Sequence, residues 1–570
     1  MPLRRVFSES PLLGGTAIIV VADAVIRLYF GVNFIDEALY AAIPYRMILG
    51  DRLFFDELNI TQTAAPVIYP FIFLWVKLTG GTDGIILFNR YLFLIFTVLM
   101  ALTVYSATKE SLGRALAGAV SLICIIFIPY ISIPSMSYCT QGSGFLTLGL
   151  ILLFKALNRP PSSMRWHLAG IASSGLFLGL AITSYPPLLA GLLFCLPALL
   201  FIRRDRRIPS IIAFGMGLAL VGIVFLALIP YSQLADVNRY AAAQGYGSGV
   251  ANSFAALMQK GAIIRLLQKL ALLCGAFVVA RACRRRLFPQ LVFLIGSAAA
   301  LRAFLGGQDA FYVYFSYMAI FFVLGVHDRV LGRNLLLAVW LPSFAGSIAM
   351  SWYRGNLLAM NKVTVLPAVV ATLCLFGLAI RDAAAADSHS APRRTVIPRL
   401  SELVLCALLL SLVNQSPPSL DAPRSYLSVR MKTGPFRGIY TSPDRSETVR
   451  QIQDDIAALA STNRRILFFP TFVAGYLMTG MRPAIRSVWG CLQPDAWGIC
   501  ETYYDRVKDG GVVIVDMKDY AANDGTRPDG SAGNAPVFRK GFRENYRKRI
   551  SREHWDVYTR DATVLGMERP

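Results

Sequence analysis

Apolar runs long enough to cross a bilayer recur through the first 414 residues, separated by tight clusters of arginine. The densest clusters are Arg203-Arg204-Asp205-Arg206-Arg207 and Arg281-Ala282-Cys283-Arg284-Arg285-Arg286. Hydrocarbon offers no partner to an exposed peptide group, so such runs must form helices. A chain of 570 residues would otherwise divide into several soluble domains, but 55% of it is hydrophobic and only 16% charged. The acids are unevenly placed. Residues 1–414 hold 16 of the 34, whereas the remaining 156 residues hold 18 acids and 23 Lys or Arg. The expected architecture is an α-helical polytopic membrane protein over 1–414 followed by a soluble α/β domain over 415–570.

The net charge of +22 does not point to nucleic acid. A nucleic-acid footprint needs a basic face on a soluble domain, and the tail carries only +5, 23 minus 18. Short basic loops instead fix topology, because they are retained on the cytoplasmic side. The first run, Leu12–Val32, follows Arg4 and Arg5, lacks a small-residue cleavage site and reads as a retained helix. Further spans are expected near 84–107, 115–133, 143–157, 168–183, 187–202, 209–231, 269–280, 288–305, 310–326, 334–351, 363–380 and 399–413, thirteen in all. Ala64–Leu78 is apolar but holds Pro66, Pro70 and Lys77, and is expected to lie in the interface, within a first outer loop of about 33–83. With the N-terminus inside, the cytoplasmic loops then carry 21 positive charges. That bias puts the tail, from near Asn414, outside, and the preference for Arg over Lys with no eukaryotic targeting signal points to a bacterial inner membrane, the tail periplasmic.

Within the tail, Glu447–Ala460 and Thr502–Lys508 read as helices, and Arg465–Pro470 and Gly511–Asp516 as strands. No phosphate-binding glycine pattern or catalytic signature occurs there. Seven of the nine cysteines lie in or beside apolar spans, while Cys491 and Cys500 stand close enough in sequence to pair in an oxidising compartment. The four His residues are scattered, so no protein-built zinc site is expected.

The stretch after the first span carries the chemistry: Asn33-Phe34-Ile35-Asp36-Glu37-Ala38-Leu39-Tyr40, then Met47-Ile48-Leu49-Gly50-Asp51. Adjacent acids at a membrane boundary are costly to desolvate. They serve equally as a helix cap, satisfying N-terminal amides and the helix dipole, or as a general base for an attacking hydroxyl. Asp23 and Arg27, four apart inside the first span, read as a structural pair.

The pattern Asp-Glu-x-x-Tyr, a Met near the end of the next helix, Gly-Asp and a Pro-containing amphipathic stretch resembles the GT-C superfamily of membrane glycosyltransferases. The likeness is to protein O-mannosyltransferases and lipid A aminoarabinose transferases, and is clearest over residues 12–200. The resemblance implies a GT-C-like fold and a sugar carried on a polyprenyl phosphate. Transfer would invert the anomeric carbon outside the membrane, onto an envelope glycan, lipid or protein acceptor. Asp36 would be the catalytic base with Glu37 beside it, and Arg90, Arg46 or Arg52 would neutralise the leaving phosphate. Tyr40, Tyr138 and Gln141, the last two placed in the second outer loop, and Asp309 ahead of Tyr312 and Tyr314 are further substrate-binding candidates.

Two places depart from the family pattern. The second outer loop, Pro134 to Gly142, holds no carboxylate, and Ala65-Pro66 stands where relatives have Lys-Pro. The Asp36–Glu37 pair leaves room for a divalent metal ion held through water, without a full ligand set. The loop Tyr231–Gln268 reads as a lid or a connector. Two competing expectations remain: a transporter or flippase for a lipid-linked saccharide, and a non-catalytic partner subunit. The scarcity of ionisable residues inside the spans speaks against a continuous polar pathway.

Overall fold

The computed structural model of the chain describes residues 10–129, 133–158, 163–202, 204–228, most of 231–237 and 315–386, a few between 406 and 413, and 421–460, 465–469, 471–488, 512–517 and 546–559. Helix α1, Pro11–Arg27, opens on Ser10, whose hydroxyl accepts the Leu13 N–H at 3.2 Å. Pro11 sits at the first helical position, where its missing N–H has no partner to lose. Two shorter helices follow, α2 (Asp36–Ile48) and α3 (Ala65–Thr79), joined through a 3-10 turn at Ile60–Ala64. The bundle continues with α4 (Ile85–Leu112), α5 (Arg114–Ile126), α6 (Tyr138–Asn158), α7 (Met164–Ser184) and α8 (Arg204–Leu228). Arg329–Leu335 then runs through a wide π turn, Leu336–Trp340, into α9 (Leu341–Tyr353), and α10 spans Lys362–Ala386.

Among the described residues four helices, α4, α6, α7 and α8, are long and apolar enough to cross a membrane. Helix α8 leaves Ile212, Met216, Leu220 and Ile223 exposed along its length, a surface suited to lipid rather than water. The spans expected at 269–280 and 288–305, most of that at 399–413 and the start of that at 310–326 lie outside the described residues. Several boundaries differ from expectation by five residues or more, those of α5 and α6 among them. Helix α5 stops at Ile126, where Phe127 turns to extended backbone. Helix α6 begins at Tyr138, five residues before the expected 143, because the Ser137 hydroxyl accepts the Thr140 N–H at 3.0 Å and starts the helix in a polar turn.

Glycine sets how closely the bundle packs. A Cβ at Gly217 would stand 2.0 Å from the Ala172 carbonyl oxygen, and one at Gly175 would stand 2.1 Å from that of Phe214. Helices α7 and α8 therefore meet backbone to backbone, as small residues allow where no hydrophobic force drives helices together. Asp23 and Arg27 of α1 form the expected ion pair at 2.9 Å. Helix α3 buries Ile68 and Ile72 against the bundle and leaves Phe71, Leu74 and Leu78 exposed, Leu78 by 75%, so both of its faces are apolar.

The tail holds helix α11 (Pro443–Ala460), the short α12 (Val473–Thr479) and a two-stranded sheet of β1 (Val429–Arg430) and β2 (Tyr440–Thr441). Its main sheet contains β3 (Arg465–Phe469), β4 (Arg482–Pro483), β5 (Val512–Met517), β6 (Arg547–Ser551) and β7 (Trp555–Thr559) in the order β4-β3-β5-β7-β6. Strand β3 is parallel to β4 and β5, and β7 is antiparallel to β5 and β6. Strands β3 and β5 and helix α11 stand where the sequence puts them. The hairpin β6–β7 was not foreseen: Arg547, Lys548 and Arg549 give β6 the charge that protects a sheet edge, and that charge hides the strand pattern.

This tail does not close on a core of its own. Val32, Phe34, Ala38 and Ile43 of the first long loop and Ile85 and Ile86 of α4 share one buried cluster with Phe436, Phe472, Val473 and Leu477. Backbone bonds stitch the seam. Gly31 donates to Tyr440 at 2.8 Å, Tyr440 donates back to Tyr29 at 2.7 Å, and Ala474 donates to Phe34 at 2.8 Å.

Candidate functional site

Helix α2 carries the acidic pair, and its start is built by a residue upstream. The Asn33 side-chain oxygen accepts from the N–H groups of Ile35 at 3.0 Å and Glu37 at 3.3 Å. Asn33 thus supplies the side-chain cap that the sequence reading offered to the acids, which instead occupy the first turn, where the helix dipole favours them. Neighbouring residues on a helix point about 100° apart, so Asp36 and Glu37 meet different surroundings. Asp36 is half-buried, and Glu37 is fully buried.

Glu37 is bound by Arg90 through both carboxylate oxygens, Nε–Oε1 at 2.6 Å and Nη2–Oε2 at 2.7 Å. The rest of the guanidinium caps the end of α1: Nη1 donates to the carbonyls of Leu28 at 2.6 Å and Phe30 at 3.3 Å, and Nη2 to Gly31 at 2.7 Å. All five donors of Arg90 are engaged, and both partners are 0% exposed. Arg90 has no donor left for a phosphate in this arrangement, and Glu37 is fully enclosed. The Asp36–Glu37 pair does not fit a divalent ion either, since Glu37 spends both oxygens on Arg90. No group of three His, Cys, Asp or Glu gathers among the described residues.

Arg46, at the other end of α2, is likewise enclosed. Its Nε meets Asp51 at 2.6 Å, its Nη1 meets Glu57 at 2.6 Å and its Nη2 donates to the Asp56 carbonyl at 2.6 Å. Burial opposes the Arg46 charge, but Glu57 and Asp51 outweigh it, so this guanidinium holds its proton more tightly than an ordinary arginine. Burial alone pushes the neighbouring Tyr45 phenol up. Helix α2 ends at Gly50 with φ +94°, the left-handed conformation that glycine adopts without penalty. Arg52 lies differently: it is 71% exposed, with its guanidinium 4.4 Å above the Phe55 ring. Of the three arginines considered for phosphate, Arg52 alone is displayed to a ligand.

Tyr40, Tyr138 and Gln141 come together. They line one cavity with Thr61, Ile68 and Met136, of about 10 Å³, room for one water. The Tyr40 and Tyr138 rings stand 6.0 Å apart. Gln141 is fully buried, its amide donating to the Met136 carbonyl at 3.2 Å and its oxygen accepting from Ser184 at 3.3 Å. Tyr138 and Gln141 therefore belong to the first turn of α6 rather than to the loop before it. Asp36 stands four residues before Tyr40, on the same face of α2, so the half-exposed carboxylate and the cavity wall share one side of the helix. Asp309 lies outside the described residues, as do Cys491, Cys500 and the loop beyond residue 237.

The sequence reading missed how the tail enters this region. Glu57 accepts from the Val488 N–H at 3.2 Å as well as from Arg46. Arg486, nearly buried, donates to the carbonyls of Phe55 at 2.5 Å and Phe54 at 3.3 Å and to the Gln233 side chain at 3.1 Å. Phe54 has φ +67°, a conformation that costs a non-glycine residue about 1–2 kcal/mol and persists only where neighbours over-determine it. The Gln62 side-chain oxygen holds its N–H at 2.7 Å.

No family model matches the chain, and no curated protein matches it. Solved structures similar to it include the Archaeoglobus fulgidus oligosaccharyltransferase tethered with an acceptor peptide, at 12% identity and a TM-score of 0.48 over 99% of this chain and 75% of that one. ArnT from Cupriavidus metallidurans bound to undecaprenyl phosphate is similar at 11% identity and a TM-score of 0.46, over 98% of this chain and 99% of that one. Both are GT-C glycosyltransferases, the superfamily that the first-loop motif resembles. At these scores and identities the likeness assigns neither an activity nor a ligand to this chain.

Proposed function

We propose that the chain is a GT-C-type membrane glycosyltransferase that moves a sugar from a polyprenyl-phosphate donor to an envelope glycan, lipid or protein hydroxyl, on the periplasmic side of a bacterial inner membrane. One observation carries the reading: a half-exposed Asp36 on the same helix face as Tyr40, beside a Glu37 wholly committed to Arg90. Of two adjacent acids, Glu37 is enclosed with Arg90 and Asp36 keeps part of its surface open.

In this reading Asp36 accepts the proton of the acceptor hydroxyl as its oxygen attacks the anomeric carbon from the face opposite the phosphate, which inverts that carbon. The bond to the phosphate oxygen breaks, and the leaving polyprenyl phosphate needs positive charge rather than a proton. Arg52 is the exposed arginine of the three, yet it follows the far end of α2, about 18 Å along the helix from Asp36, so it serves only a phosphate bound toward that end. Tyr40, Tyr138 and Gln141 bind sugar hydroxyls once α3 and α6 part, since the cavity of about 10 Å³ is too small for a sugar ring.

The test compares wild type with Asp36→Asn at matched membrane levels, following polyprenyl-phosphate-sugar and its glycan product. Loss of a general base lowers turnover by about 10²–10⁴-fold, so donor is expected to accumulate and product to vanish. Full product from Asp36→Asn would end the assignment and favour a flippase for the lipid-linked saccharide or a non-catalytic subunit.

A further inference from the structure

Helix α2 is clamped at both ends, and the tail has a hand in each. At its start Glu37 is fixed to Arg90, and the preceding Phe34 carbonyl accepts from Ala474 of α12. At its finish Arg46 is fixed to Glu57, and Glu57 in turn accepts from Val488 of the tail. Close to Glu57 the tail brings in one further side chain, which touches two separate segments. Arg486 donates to Phe54 and Phe55 of the first long loop, donates to Gln233, and stands 3.5 Å from Asp236. Its own carbonyl accepts the Leu58 N–H at 2.8 Å. Val237 packs against Phe54 and Leu58 in the same knot.

We propose that Arg486 is a positioning residue. It holds the strained loop 51–59 in one conformation, ties that loop to the segment 231–237, and through Glu57 and Arg46 fixes where α2 presents Asp36. The argument has three parts. A planar guanidinium can bind two backbone carbonyls and a side-chain amide at once, which lysine cannot. Phe54 is held in a left-handed conformation that its own sequence does not favour, and Arg486 is one of the two groups gripping it. Asp236 stands 3.5 Å from the same guanidinium that holds Gln233, so the segment 231–237 meets Arg486 through two side chains. The tail thus acts on the site as a brace, without lending it a reacting group. This role rests on the assignment of Asp36 as the base, but the brace itself does not.

The experiment is amide hydrogen exchange on the purified full chain in detergent, comparing wild type with Arg486→Ala and Arg486→Lys, with turnover measured in parallel. Hydrogen bonds from a charged donor are the strong ones, so Arg486→Ala is expected to speed exchange over 52–62 and 231–237 by about tenfold while α4 stays protected. Arg486→Lys is expected to recover little, and turnover to fall further than substrate affinity. Unchanged exchange over 52–62 in Arg486→Ala overturns the proposal. Should α4 also lose protection, the variant has unfolded and Glu57→Gln decides. It keeps the shape but weakens the charge that Arg46 and Val488 share, so 52–62 must loosen, and its staying protected overturns the brace. Local loosening in a protein whose wild type transfers no sugar would keep the brace and remove the transferase reading.

Discussion

Helices α7 and α8 touch through Gly175 and Gly217, backbone against backbone, whereas the chain around α2 is held by Arg46, Arg90 and Arg486, each wrapped around carbonyl oxygens and carboxylates. The difference follows from the state of the backbone. Along α7 and α8 most peptide groups are satisfied inside their own helix, so packing is decided by how near the two helices approach. Around α2 the chain leaves helix, runs through irregular loop and returns, so orphan carbonyls must find donors. An arginine with five donors closes several of them at a stroke.

The comparison is broken most directly at Glu37 and Arg90. Removing either partner from a fully buried pair leaves an uncompensated charge, and Glu37→Ala or Arg90→Ala is expected to lower stability by about 3–5 kcal/mol, read as loss of thermal stability in detergent. The double variant Glu37→Leu with Arg90→Met sharpens the point. It removes both charges but also strips the Leu28 and Gly31 carbonyls of their donor, so it should regain only part of the loss. Full recovery would mean that the carbonyl capping contributes nothing.

A smaller effect is expected in the bundle. Gly217→Ala places a methyl 2.0 Å from the Ala172 oxygen, forcing α7 and α8 apart at a cost of about 1–3 kcal/mol. An unchanged thermal transition would show that the two helices are not in backbone contact. Least of all, Arg52→Ala should leave stability within about 0.5 kcal/mol, as an exposed surface substitution does. If Arg52 serves the leaving phosphate, the same variant nonetheless weakens turnover of the lipid donor, and an unaltered rate would remove it from the site.

The comparison also shows what the sequence could tell. Helical spans are local, and α4, α7 and α8 lie within a few residues of where hydropathy puts them. The Asp-Glu motif is local too, and so is the apolar character of α3. The roles of the arginines are not. Arg90 sits 53 residues from Glu37 and about sixty from the carbonyls it caps, and nothing in a one-dimensional string separates such an arginine from one waiting for phosphate. Arg46 could have been read better, because Asp51, Asp56 and Glu57 follow it within eleven residues, a local surplus of acid that asks for a cation. Arg486 gave no such sign: its partners at Phe54 and Phe55 are more than 430 residues away. The polar first turn of α6 hid Tyr138 and Gln141 in an expected loop, since hydropathy sees a helix only once it turns apolar.

The shared core of the first loop and the tail has a consequence in time. Residues 32–86 are synthesised well before the tail, yet the buried cluster they share with it reaches to Val557. At about 5–20 residues per second, the loop waits for its partners for roughly half a minute to a minute and a half. Through that interval Phe34, Ile43 and Ile86 have no tail to bury them. A chain cut short before Phe436 would carry the Asp36 loop uncovered, so quality control on this molecule falls hardest on a segment made long before its cover.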